Sequence, residues 1–291
     1  MFYGVRGSTP CSCPNTRDVG GNTSCVLVET GGDPIILDLG TGLRYLGRDL
    51  LAGRVGASGP RAGGADGGRA AQPLRATALV SHLHWDHIQG IPFFAPMLRP
   101  DTDLTIIGPP QDGTTLGAEF RRFVRPPVFP IELESFPGVV TFQDSRDEVL
   151  AVGEAKITTF PVPHVGPTNG YRIDVGGGSV AYISDHQQPD AAGTEVSPAI
   201  VAACSGVDLL IHDAQFDQAE FEARSDWGHC STEYAAEVAR RCGARRLALY
   251  HHDPAHDDAW IAAAVERTAR VAGPDIEVLA ATEGLRLTSG G

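Results

Sequence analysis

The sequence predicts an α/β fold with two sheets covered by outer helices. Short β-branched or apolar runs recur between Gly and Pro residues, as strands do. Helical patterns lie among them without strict alternation, which argues against a barrel or a doubly wound sheet. The 291-residue chain shows no convincing linker, so a single domain spanning 1–291 is expected.

Taken in order, the predicted strands are "CVLVET" (25–30), "PIILDL" (34–39), "ATALVS" (76–81), "LTIIG" (104–108), "KITTFPV" (156–162), "GYRIDV" (170–175), "SVAYIS" (179–184), "VDLLIH" (207–212) and "RLALYH" (246–251). The chain also opens within a short strand. Helical spacing runs over roughly 41–51, 87–98, 113–124, 194–203, 231–242 and 255–272. Residues 52–73 are low-complexity Gly/Ala/Arg sequence and read as a flexible surface insertion without a chemical role.

Composition narrows the partners. Apolar residues make up 42% and charged residues 20%, the balance of a soluble globular protein. No apolar run nears the ~18–20 residues of a membrane span, and no secretory leader is evident. The expected setting is cytoplasmic, with no membrane partner. Net charge is −13, and Lys156 is the only lysine. A long nucleic acid needs a basic stripe, whereas this chain has only short arginine groupings at 121–125 and 240–246, which read as solvated helix faces. Six cysteines are scattered except for Cys11 and Cys13. Small buried or loop thiols of a reducing compartment account for them.

The chemistry centres on "HLHWDH", His82 to His87. Four ligand-type residues occupy six positions in a chain with ten histidines, which composition alone does not produce. The preceding strand places His82 and His84 on one side. Asp86 is expected at the N-cap of the 87–98 helix, with His87 in its first turn. Imidazoles with a carboxylate and no thiolate favour zinc, with manganese or iron also compatible. Further ligands are available just after later strands: His164, Asp185, and His251 or His252. Each alone reads as a loop residue; together they can converge on one sheet edge.

These residues resemble the H-x-H-x-D-H hydrolases of the metallo-β-lactamase fold, with His164, Asp185 and "YHH" following in that superfamily's order. "LDLGTG" (37–42) is similar to its first motif, in which Asp38 would prop the metal loop. The resemblance runs from about Val5 to the C-terminus. It implies a four-layer αββα sandwich of two mixed sheets flanked by helices. It further implies two zinc ions, one held by His82, His84 and His164 and the other by Asp86, His87 and His251, with Asp185 bridging. His252 is the alternative last ligand.

Within that superfamily, "LLIHDAQF" (209–216) and "WGHCSTEYAAEVARRCGARRLALYHHDP" (227–254) are similar to the tRNase Z and phosphodiesterase branch. So is the opening "RGSTP…GGNTSCVLVE", as in proteins described as class II-like cyclic nucleotide phosphodiesterases. The likeness makes Asp213 and His229 a catalytic pair. The plain alternative is a loop histidine before a helix capped by Ser231 or Thr232. The implied reaction is phosphodiester hydrolysis by a hydroxide bridging the metals. Asp86 orients that hydroxide or accepts its proton, and His229, held by Asp213, assists the leaving group. Asn22 is expected near the mouth.

No basic exosite arm like that of tRNase Z is visible, so a small phosphodiester such as a cyclic nucleotide is expected. An RNA-processing endoribonuclease is the first alternative, and a thioester or lactam hydrolase on the same metals the second. The resemblance also implies a homodimer. The Pro-rich loop 125–138 has two readings: a lid that stacks Phe129 and Phe136 on a base, or a packing or dimer-contact loop.

Overall fold

A computed structural model describes residues 1–56, 73–190 and 195–288. Thirteen strands of the described residues form two sheets. The first joins β1 (Phe2–Gly4), β2 (Cys25–Val28), β3 (Ile35–Leu37), β4 (Leu74–Leu79), β5 (Thr102–Gly108) and β6 (Val139–Asp144) in chain order. The second joins β7 (Val149–Val152), β8 (Ala155–Pro161), β9 (Asn169–Val175), β10 (Gly178–Ile183), β11 (Leu209–Asp213), β12 (Arg246–Tyr250) and β13 (Glu277–Ala280), also in order. Each sheet begins antiparallel and continues parallel, the change coming at β3–β4 in one and β10–β11 in the other.

Among the described residues the α-helices are α1 (Leu43–Leu51), α2 (Trp85–Ile88), α3 (Leu116–Phe123), α4 (Pro198–Ala203), α5 (Gln218–Ala223), α6 (Thr232–Cys242) and α7 (Asp258–Ala272). Period-two alternation sorts strand side chains into three buried clusters. Phe2, Ile35, Leu37, Leu79 and Ile107 meet Ile157, Tyr171, Ile173, Tyr182, Ile211 and Tyr250 between the sheets. The opposite faces of β3 to β5, with Ile36, Ala78, Leu104 and Ile106, cluster with Leu43 and Leu46 of α1 and with Leu116 and Phe120 of α3. Leu210, Leu247 and Leu249 do the same with α4 and α6 on the far side. The fold is the expected αββα sandwich.

Local sequence explains the helix ends. Ser231 caps α6 by accepting from Tyr234 N at 3.1 Å, and Gly243 closes it at φ 63°. Such a left-handed stop suits a residue without Cβ. Asp217 and Glu220 form a reciprocal capping box on α5, a short helix the sequence reading did not include. The helix expected over 87–98 is corrected. Only Trp85–Ile88 is α-helical, followed by 3₁₀ turns over Ile91–Phe93 and Ala95–Leu98. Pro92 and Pro96 cannot supply interior N–H donors, which limits each turn. Asp86 is accordingly not the N-cap: His84 is, with extended φ −64° and ψ 149°, and Asp86 lies inside the first turn.

Of the expected insertion at 52–73, residues 57–72 lie outside the described residues, while Val55 before them is buried in the first outer core. In the Pro-rich loop, Leu133 and Phe136 are buried in that same core. Phe129 stacks on Phe136 at 6.4 Å and meets Phe93 edge-on at 6.0 Å. Leu133 and Phe136 thus anchor the loop to the core, while Val128 and Ile131 remain exposed. All six cysteines are free, four of them buried. Among the described residues no helix is long and apolar enough to cross a membrane.

Candidate metal centre

The loops that leave the ends of β3, β4, β8, β10, β11 and β12 converge on one edge of the sandwich. β4 delivers His82 and His84, and the short α2 delivers Asp86 and His87. β8 is followed by His164, β10 by Asp185 and β12 by His251. Their ligand atoms fall into groups mutually within 4.8 Å: His82, His84, His164 and Asp185; and Asp86, His87 and His251. Asp185 lies between the groups. Its Oδ1 is 3.7 Å from Nε2 of both His82 and His164 and 3.5 Å from Nε2 of His251, while Oδ2 is 3.2 Å from His87 Nε2.

Outer partners set the tautomer of four rings. Nδ1 of His82 meets Ser81 Oγ at 3.0 Å, and that hydroxyl donates in turn to Asp38 Oδ2 at 2.8 Å. Nδ1 of His87 donates to Asp38 Oδ2 at 2.7 Å, that of His164 to Gly228 O at 2.6 Å, and that of His251 to Gln215 Oε1 at 2.9 Å. With the proton held on Nδ1, each Nε2 turns a lone pair into the cage, the arrangement metal-bound imidazoles adopt. Asp38 is fully buried at φ 57° and also accepts from Ser81 N at 2.6 Å and Tyr182 OH at 2.7 Å.

His251 departs from β12 at φ 58°, a backbone region unusual for a side chain of its size. That turn puts its Nε2 3.0 Å from Asp86 Oδ2. His252 faces elsewhere, with Nε2 3.1 Å from the carbonyl of Ala281. Between the two late histidines, the structure brings His251 to the cage.

Does this set fit metal ions? Nε2 of His82 is buried without a hydrogen-bond partner. Nε2 of His87 and Nε2 of His251 are 3.2 Å apart, and His164 Nε2 is 3.3 Å from His84 Nδ1. Ligands of one tetrahedral zinc at roughly 2.0–2.1 Å are separated by about 3.3 Å, so both spacings fit. Asp38, Asp86, Asp185 and Asp213 are all buried, yet among the described residues each pairs only with histidines, never with Lys or Arg. Buried carboxylates without cationic partners are costly. The cage therefore calls for positive charge. His87 reports the same field: burial opposes its charge, but Asp86, Asp185 and Asp38 outweigh burial and raise its pKa well above the usual range. Burial lowers that of His82, and the neighbouring His87 adds to the effect.

Beside the cage, His229 Nδ1 lies 3.1 Å from Asp213 Oδ2 and 3.8 Å from Asp185 Oδ1. Asp213 is held by backbone amides, His186 N at 3.0 Å on Oδ2 and Gln215 N at 3.0 Å on Oδ1. Burial opposes charge on His229, but Asp213 first and then Asp185 and Asp86 raise its pKa. Ser231 is a helix cap as well, so the capping and pairing roles coexist two residues apart.

Every sequence-predicted ligand and both members of the pair thus lie at this edge. Asn22 does not serve the mouth: its amide binds both oxygens of Glu283, at 3.1 and 3.0 Å. The sequence reading missed several partners, the Gly228 carbonyl and the His186 amide among them. Ser81 and Gln215 each adjoin a predicted site residue or lie two away from one, a faint signal. Tyr182 and the amide of Ser8, which donates to Asp86 Oδ2 at 2.8 Å, carried none.

Comparison with known proteins completes the description. A family described as "Beta-lactamase superfamily domain" matches residues 64–252. A Ribonuclease Z of Porphyromonas gingivalis is 25% identical over 254 residues, spanning 72% of this chain and 80% of that protein. The metallo-beta-lactamase fold protein YhfI from Bacillus subtilis superposes with a TM-score of 0.68 at 20% identity, covering 98% of this chain and 96% of its own. A diphosphatase from the PhnP family gives 0.66 at 17% identity, with 99% and 96% covered. At such identities the structural likenesses speak for the fold.

Proposed function

The chain belongs to the β-lactamase superfamily, a family of metal-dependent hydrolases, and from that membership we propose that it is a dinuclear-metal phosphodiesterase of small substrates. His82, His84 and His164 would hold one ion, Asp86, His87 and His251 the other, with Asp185 shared. Zinc suits the imidazole and carboxylate donors. Bound there, such ions lower the pKa of a water and neutralise charge on phosphoryl oxygens.

One observation carries the phosphodiester reading: His229 beside the shared carboxylate, with Asp213 behind it. Expelling an alkoxide from phosphorus calls for a proton or electrostatic help at the leaving oxygen. Asp213 takes the Nδ1 proton and orients the ring, so Nε2 is the nitrogen that meets substrate. Asp213 is itself immobilised by two amides, which keeps the ring aimed. Asp86, fixed by the Ser8 amide, is the carboxylate placed to orient or deprotonate the attacking water. Thioester hydrolysis, whose thiolate leaves without a proton, has no comparable need of the pair.

The small-substrate reading is supported by the net charge of −13. The likeness to a Ribonuclease Z favours a second reading, RNA processing on the same centre. The test is turnover by zinc-loaded protein of cyclic mononucleotides, cyclic dinucleotides, bis(4-nitrophenyl) phosphate and precursor tRNA across a salt series. Cleavage of the small esters with little salt dependence supports the proposal. Cleavage of tRNA alone with a steep salt slope replaces it with the second reading.

A further inference from the structure

We infer that Arg224 and Trp227 form a base-binding subsite on the leaving-group side of the metal centre, selecting a nucleotide phosphodiester. The inference rests on the phosphodiesterase reading and adds to it the chemistry of the group expelled.

Arg224 follows α5, and its guanidinium carbon lies 5.2 Å from the Phe216 ring centroid and 5.5 Å from that of Trp227. No carboxylate or carbonyl of the described residues takes its side-chain donors. A guanidinium fixed by two aromatic faces and left with its N–H fork free is preorganised for a phosphate or the edge of a base. Trp227 is 60% exposed even with Arg224 over its ring, which leaves indole surface open to solvent. Successive bases stack on such faces.

This platform is coupled to the chemistry. Phe216 is fully buried and meets the His229 ring edge-on, centroids 5.9 Å apart. Gln187, two residues after Asp185, holds the loop at both ends, donating to Ser225 O at 2.7 Å and accepting from Gly228 N at 2.9 Å. Gly228 carries the carbonyl that orients His164. The segment from Arg224 to His229 is therefore one braced unit. Trp227 stands on that unit two residues before the imidazole assigned to the leaving oxygen, and Val165, 56% exposed, approaches the intervening Gly228, its Cγ2 3.4 Å from where a Cβ would stand.

The experiment compares two diesters on zinc-loaded protein: an adenosine-bearing phosphodiester and methyl 4-nitrophenyl phosphate. The readout is the ratio of their kcat/KM values. Trp227→Ala and Arg224→Ala should each lower that ratio about tenfold, mainly through KM for the adenosine substrate. Arg224→Lys, which keeps the charge and loses the planar fork, should recover only a small part. Calorimetric binding of AMP against ribose 5-phosphate gives an independent reading: wild type prefers AMP, and Trp227→Ala loses the preference. An unchanged ratio, or equal binding of the two monophosphates to wild type, overturns the inference. If wild type turns over neither ester yet shows the AMP preference and loses it on Trp227→Ala, the subsite stands and the phosphodiesterase reading falls.

Discussion

Asp38→Asn isolates the outer support of the cage from its ligands. In the wild type, Oδ1 accepts from Ser81 N at 2.6 Å, and Oδ2 receives Ser81 Oγ, Tyr182 OH and His87 Nδ1 at 2.7–2.8 Å. An asparagine must place an NH₂ at one of these positions. At Oδ1 it opposes a backbone N–H, leaving two buried donors facing each other, a cost of about 1–3 kcal/mol. At Oδ2 the two hydroxyls can rotate to accept, but His87 must move its proton to Nε2, the nitrogen aimed into the cage. Either arrangement weakens the centre, and the second removes a ligand outright.

The expectation is a loss of about 10- to 100-fold in affinity for the ion on the Asp86–His87–His251 side, with stability lower by about 1–3 kcal/mol. Chelator competition during zinc titration measures the first, and urea unfolding the second. The ion on the His82–His84–His164 side should hold more nearly its wild-type affinity, although Ser81 links the two. Wild-type affinity at both positions would refute the claim that Asp38 sets the His87 tautomer.

Three further outcomes follow from the geometry. His229→Ala should cost about 10²–10⁴ in rate on an alkyl phosphodiester and far less on a nitrophenyl ester, whose leaving group needs no proton; equal losses would remove the acid role. Gly228→Ala should disturb the His82–His84–His164 side, because φ is +92° and a Cβ would approach His164 Cε1 to 2.5 Å; an unchanged zinc stoichiometry would count against the Gly228–His164 contact. His252 is held down to about 3, first by burial and then by Arg6. The unfolded chain thus takes up this proton near pH 6.5 and the folded chain only near 3, so stability is complete above that upper value and falls by about 1.4 kcal/mol per unit on acidification. Removing the titration with His252→Gln should flatten the slope between pH 6 and 4 in denaturant melts, and an unaltered slope would exclude this group as a source.

The strands that were legible in sequence are those buried on both faces, since continuous apolar runs such as "ATALVS" and "RLALYH" have few other uses. β6, β7 and β13 were missed, and each lies at or beside a sheet edge with half-exposed, mixed side chains. Apolar content suggested one helix over 87–98, but missing N–H donors at Pro92 and Pro96 prevailed over it. The ligands were legible because they follow apolar strands directly. Ser81, Gln215 and Tyr182 were not, because an outer hydrogen bond is decided by which distant backbone comes within reach. Asn22 shows the reverse error: a polar residue in the right loop finds a nearer carboxylate.

The cage also explains why the two sheets must meet as they do. Asp38, His82, His84, Asp86 and His87 belong to the first sheet and its loops, whereas His164, Asp185, Asp213, His229 and His251 belong to the second. Four buried carboxylates are divided between them, and none of the chain's 23 lysines and arginines pairs with any of these among the described residues. Apolar packing between the sheets brings like charge together at this edge, an arrangement unfavourable by itself. Cations held on either side of Asp185 would reverse its sign and tie the sheets at this edge, so that metal affinity and sheet association would be linked. The same electrostatic deficit that makes the edge poor as a core suits it to cations.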